Sequence, residues 1–118
     1  MPLLKITLSA ADETGELRDT LLAEGTRIVA EVLGKSPRYV MVVCESEAIA
    51  LGGSREPAAF LDVRAIGGLD EDTNAELTRA LCDLLHDTAG IATDRVFATF
   101  TDVPRTDWGW DGTTFSRR

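Results

Sequence analysis

The sequence is poor in the residues that build metal centres and disulfide frameworks, with two cysteines and one histidine in 118 residues. Cys44 and Cys82 stand far apart, each inside an apolar periodic segment. Free cysteine in such a setting is a small reduced core residue rather than half of a disulfide or a metal pair. His86 lies beside Asp83 and Asp87 in a helical pattern and reads as a surface histidine near a helix C-terminus. No metal and no cofactor is expected. Positive charge is scarce as well: 12 Lys and Arg face 20 Asp and Glu, for a formal net charge of -8. That argues against nucleic acid or an anionic membrane as the main partner, because both need clustered cations. No apolar run approaches the roughly 20 residues of a membrane span, and no basic-then-apolar signal segment opens the chain. The expected location is therefore cytoplasmic. What remains is ordinary, with 44% hydrophobic and 27% charged residues, which excludes bulk disorder. The length fits one domain over residues 1–118.

The most informative stretch is the first, Met1-Pro2-Leu3-Leu4-Lys5-Ile6-Thr7-Leu8. Leu4, Ile6 and Leu8 alternate with Leu3, Lys5 and Thr7, which is the period of a strand. A small second residue usually lets the initiator methionine be removed, leaving Pro2 with a free secondary amine. A terminus built into a strand is held rather than frayed, so its surroundings can tune that amine.

Along the chain, Asp12 and Thr14 are candidate helix caps. Leu17, Leu21, Leu22, Ile28, Val29, Val32 and Leu33 then fall at helical spacing. Gly34 ends that helix and Lys35-Ser36-Pro37 prevents its continuation. The β-branched run from Tyr39 to Cys44 reads as a strand buried on both faces. Ala48–Leu51 is a candidate short edge strand, and Gly52-Gly53-Ser54-Arg55-Glu56-Pro57 is a loop. The order then repeats. Ala59–Ile66 is a strand, Asp70 or Asp72 starts a helix carrying Leu77, Ala80, Leu81, Leu84 and Leu85, Gly90 stops it, and Arg95–Phe100 closes the sheet.

The fold class is thus α+β: a duplicated β-α-β unit, in pseudo-repeats of about 1–56 and 57–118, giving a four-stranded mixed sheet with two helices on one face. The central strands look apolar on both faces, and a bare second face would leave a large apolar patch. Closed oligomerisation would cover it. The tail from Pro104 to Phe115 places Trp108, Trp110 and Phe115 in a Gly/Asp/Thr-rich segment. Aromatics there wall a pocket or form an interface, the two not being exclusive, and a short strand against a neighbouring subunit is the plainer reading.

In order and spacing, Met1-Pro2, Gly34-Lys35-Ser36-Pro37-Arg38-Tyr39-Val40, Gly52 to Pro57, Ala65-Ile66-Gly67-Gly68, Asp94-Arg95-Val96-Phe97 and Trp108 to Phe115 resemble the macrophage migration inhibitory factor family of the tautomerase superfamily, nearly end to end. The resemblance implies a homotrimer and cofactor-free keto–enol exchange on phenylpyruvate-like α-keto acids, with dopachrome-like substrates for some members. Pro2 matches the general base. Lys35 matches the lysine that holds the substrate carboxylate. Ile66, Trp110 and Phe115 match the pocket lining, and Tyr39 matches a position that stacks on the substrate ring. Phe97 and Thr99 match positions supplied by the adjacent chain. Arg64, beside the pocket stretch, is a candidate second clamp or a solvated strand residue.

This chain departs from the family at several points. Phe97 replaces a common tyrosine and Thr99 a common asparagine, and Trp108 stands where a smaller aliphatic residue is usual. Ala58 and Leu61 replace the Cys-x-x-Cys of animal members, which excludes thiol oxidoreductase chemistry of that kind. The alternative function is a cytokine-like binding protein with weak or relic catalysis, for which a receptor would be the partner. A third is different Pro2-driven chemistry such as water addition or decarboxylation. Family members exported without a signal peptide leave unconventional secretion open.

Overall fold

The computed structural model describes all 118 residues. Strand β1 (Pro2–Leu8) leads into helix α1 (Glu16–Leu33), a single 3-10 turn at Pro37–Tyr39 and strand β2 (Met41–Ser46). The pattern recurs as β3 (Ala59–Ala65), α2 (Glu71–Ala89), a 3-10 turn at Thr93–Arg95 and β4 (Val96–Asp102). The sheet runs β2-β1-β3-β4. β1 pairs parallel with β2 and β3 with β4, while β1 and β3 are antiparallel. No helix is long and apolar enough to cross a membrane.

One face of the sheet carries both helices. Leu4, Ile6 and Leu8 of β1 and Leu61 and Val63 of β3 meet Leu21, Ile28 and Val29 of α1 and Leu77, Leu81 and Leu85 of α2. Each fully buried Leu or Ile contributes about 1.5–3 kcal/mol over its exposed state. Gly25, in the middle of α1, marks the closest approach of helix to sheet: an added Cβ would lie 3.2 Å from a Leu4 methyl and 3.5 Å from Val42. Asp12 accepts from the amides of Leu17 and Arg18, both at 3.0 Å, and Thr14 from Glu16, so the polar run before α1 satisfies its first free donors. Asp70, not Asp72, caps α2, accepting from Thr73 N at 2.8 Å. That bond, with the Thr73 side chain next, lowers the Asp70 pKa.

Three expectations are corrected. Tyr39 is in the 3-10 turn rather than in the strand, because Pro37 fixes the first position of that turn. β2 lies at the sheet edge, so it is not buried on both faces, and Met41 is 63% exposed. The Ala48–Leu51 segment forms no strand beyond a single Leu51–Ser54 bridge that closes the Gly52-Gly53 turn. The open face of the sheet is also less apolar than the alternation implies. Its middle carries Lys5 paired with Glu45 at 3.3 Å and Arg64 paired with Asp62 at 2.9 Å. Leu3, Met41, Val43, Phe60 and Phe97 flank those charges.

Candidate active site

Pro2 is the first residue of β1, fully buried, and lies opposite Ala65 at the last position of β3. The amino end of β1 therefore faces the Ile66-Gly67-Gly68 turn. The end of α1 delivers the neighbouring cation. Gly34 adopts φ 63, and Gly34 N and Lys35 N donate to the carbonyls of Glu31 and Ala30 at 3.4 and 3.0 Å. This is the two-bond Schellman close of a helix, whose last position usually holds an apolar residue packed back on the helix. Here it holds Lys35, half-buried, whose Nζ lies 3.9 Å from the point a side chain on Gly68 would occupy. Lys35 takes part in none of the ion pairs of the chain.

The tail closes over this corner. Gly109–Trp110 (β5) and Thr113–Thr114 (β6) pair through an Asp111-Gly112 turn. Asp111 has φ 50 and Gly112 φ 83, the paired positive values that Asp-Gly supplies in a two-residue hairpin. The hairpin sets Trp110 edge-on to Tyr39, with ring centroids 5.8 Å apart, and parallel to Phe115 at 6.1 Å. Met1, Pro2, Lys35, Tyr39, Trp110 and Phe115 line a cleft of about 290 Å³. A second cleft of about 560 Å³ runs alongside Pro2 past Leu3, Arg38, Met41 and Trp108.

Electrostatics here favour a neutral amine. With Met1 in place, burial first and the Lys35 ammonium second push the α-amino group below its ordinary pKa. Both act against the charged form. Removal of Met1 would transfer the amine to the more deeply buried Pro2.

Comparison with known proteins decides the family. The family model described as macrophage migration inhibitory factor (MIF) matches residues 1–116. The chain belongs to the MIF family. Its fold resembles the MIF-like protein of Entamoeba histolytica with a TM-score of 0.91 at 33% identity, covering 96% of this chain and 97% of that one. The MIF homologue of Prochlorococcus marinus gives a TM-score of 0.89 at 33% identity over 96% and 98%. The MIF homologue of Trichinella spiralis is 31% identical over 110 residues, 92% of this chain and 96% of that one. These relations place the chain in the tautomerase superfamily.

Within this MIF-family chain the other candidate residues divide. Ile66 is half-buried and directly follows the end of β3. Trp108 lines the larger cleft beside Pro2. Arg64 is opposite Leu3 and bonded to Asp62 through Nε and Nη2, so its guanidinium already has a carboxylate partner. Phe97 is opposite Phe60, which is opposite Thr7 near the far end of β1 from Pro2. Thr99 is opposite Asp62, and both side chains lie on the open face. The same chain does not bring Phe97 or Thr99 to its own Pro2.

Two cations escaped the sequence reading. Arg38 packs over the Tyr39 ring, 5.4 Å from its centroid, and Arg118 lies 4.6 Å from Trp110 and 4.9 Å from Phe115. The Arg38-Tyr39 adjacency was the available signal. Another cavity, of about 500 Å³, opens at the opposite end of β1 beside Asp12, Arg18 and Cys44. Burial first and the Asp12 carboxylate next push the half-buried Cys44 thiol up, so it stays protonated and is a poor nucleophile. Cys82 is buried.

Proposed function

We propose that the chain is a cofactor-free keto–enol tautomerase of phenylpyruvate-like α-keto acids, working as a homotrimer with Pro2 as base and Lys35 as carboxylate binder. The observation that carries this reading is the convergence of Pro2, an unpaired lysine and three aromatic rings on one cleft, in which burial already lowers the Met1 amine next to Pro2. Keto–enol exchange needs a base that is free near neutral pH and can return its proton. A proline nitrogen starts more basic than other α-amines, whose reference pKa is about 7.7–8.0. Burial and a neighbouring cation, the two causes that lower the Met1 amine, both disfavour a charged Pro2 nitrogen.

The neutral Pro2 nitrogen takes a proton from the carbon next to the keto group. The C–H electron pair becomes the C=C bond and the carbonyl pair moves to oxygen. Pro2 then returns the proton to that oxygen, and the substrate leaves as the enol with its composition unchanged. Lys35 holds the carboxylate, while Tyr39, Trp110 and Phe115 receive the ring. Bound carboxylate offsets part of the Lys35 charge, so the free enzyme is the state in which the amine is lowest.

Two features of the chain favour a trimer. Phe97 is 60% exposed and Met41 63%, at the margins of a face that needs cover. A neighbouring subunit is also the only source from which Phe97 and Thr99 reach a Pro2 site. Phe97 lacks the phenol hydroxyl usual in the family, so the substrate loses one donor there and leans more on Lys35. The test is Pro2→Gly with Met1 removed, which keeps an amine and loses the rigid secondary one. Turnover of phenylpyruvate is expected to fall on the order of 100-fold. Unchanged turnover excludes Pro2 as the base. A folded trimer with a free Pro2 and no turnover at all would favour a binding role instead.

A further inference from the structure

The cation count around the cleft exceeds what one carboxylate needs. In a chain of net charge -8, Lys35, Arg38 and Arg118 gather at one aromatic cluster and none of them takes part in an ion pair. The pattern elsewhere is different. Arg18, Arg27, Arg64 and Arg79 are each paired with a carboxylate. Arg95 and Arg105 are spent on backbone carbonyls. Arg55 and Arg117 have no partner either, but neither packs on an aromatic ring.

Arg38 and Arg118 are held by the walls of the cleft themselves. Arg38 packs on Tyr39 and borders the larger cleft beside Pro2. Arg118 packs on both Trp110 and Phe115, and one Nη2 bond to Thr113 O at 3.1 Å fixes its approach. A guanidinium on a ring is attracted through its face, which leaves N–H groups at its edge for a planar, bidentate acceptor. Lys35 and Pro2 line the smaller cleft together, and the two arginines pack on its aromatic walls. A ligand with one carboxylate satisfies Lys35 and leaves both guanidinium edges without an anion.

We propose that Arg38 and Arg118 form a second anion-binding position at the rim, so that the preferred ligands are aryl α-keto acids with a second carboxylate on the end remote from the keto acid. This rests on the assignment of Pro2 and Lys35 to the keto acid end. It makes Arg38 and Arg118 determinants of specificity, with no part in proton transfer.

The test compares two inert probes, cinnamate and 4-carboxycinnamate, which mimic the planar enol with one and two carboxylates. Their binding to the intact protein is read by calorimetry at low salt, for the wild type, Arg38→Gln, Arg118→Gln and the double variant. Thermal melting of each variant checks its folding. The dicarboxylate is expected to bind about 10-fold more tightly to the wild type, and the double variant is expected to bring the ratio close to one. A ratio near one in the wild type, or a ratio the variants leave unmoved, overturns the proposal. Equal loss for both probes overturns it too, since it shows arginines that only stiffen the walls. The same ratio is then taken for kcat/KM on 4-carboxyphenylpyruvate against phenylpyruvate, where substituent electronics cancel between wild type and variant. If neither acid turns over while the probe preference stands, the tautomerase assignment fails and the rim assignment survives.

Discussion

The two halves of the chain run the same course at the ends of their helices and finish it in opposite ways. In the first half Gly34 is followed by Lys35, a 3-10 turn that ends at Tyr39, and the start of β2. In the second half Gly90, at φ 68, is followed by Ile91, a 3-10 turn that ends at Arg95, and β4. Ile91 is fully buried in the core. Arg95 seals the corner beside it, donating to Pro57 O at 3.0 Å, Ser54 O at 3.0 Å and Glu56 O at 2.8 Å. Lys35 instead is left unpaired in the lining of a cleft, and Tyr39 is exposed. One scaffold thus builds two corners, one closed with an aliphatic residue and a carbonyl-saturated arginine, the other kept open. The apolar residue that follows the glycine in a helix close is present where the corner is structural and absent where the site lies, as expected when local rules yield to function.

The sharpest way to break this contrast is to weaken the sealed corner. Ile91→Ala is expected to cost about 2–5 kcal/mol, read as a lowered midpoint in urea with little change in slope, and a loss below about 1 kcal/mol would show that the corner is not part of the core. In the open corner, Lys35→Ala should leave stability near that of the wild type and raise KM for phenylpyruvate about 10-fold, with an ester analogue much less affected. The same variant carries a pH signature. Burial first and Lys35 second lower the Met1 amine; if Lys35 acts alike on the Pro2 amine exposed by processing, its removal lets that pKa rise and the acid limb of kcat/KM moves to higher pH. An acid limb that stays in place would separate Lys35 from the amine. The smallest effect is the most diagnostic of the comparison. Lys35→Leu restores the usual helix close and is expected to stabilise the fold by about 0.5–1 kcal/mol while weakening keto acid binding. A destabilised Lys35→Leu would mean that the two corners are not equivalent.

The sequence carried the helices, the four main strands and the duplication, because each rests on periodicity or on a glycine stop. It did not carry the edge position of β2, since a β-branched run reads alike whether its neighbours lie on one side or two. Tyr39 reads as the start of the strand because aromatic residues favour strands, and Pro37 overrides that preference locally, while Val40 is extended as expected. The alternation of Leu3, Lys5 and Thr7 already held the mixed character of the open face, but the matching Asp62 and Glu45 appear only with the strand register. At the site, Pro2, Lys35, Tyr39, Trp110 and Phe115 converge on one cleft. The resemblance to a family pointed to them, and spacing alone would not have. Arg118 was invisible because its partners are reached through the Asp111-Gly112 turn, and a turn's handedness is not written in hydrophobic pattern.

The role of Pro2 is tested most directly by phenylpyruvate keto–enol exchange with purified untagged protein, its intact mass recorded on the same sample. Loss of Met1 in the mass, turnover by that protein, and no turnover by a form extended by one alanine before Pro2 are the predicted results. Equal turnover by the processed and the extended proteins would contradict a proline base.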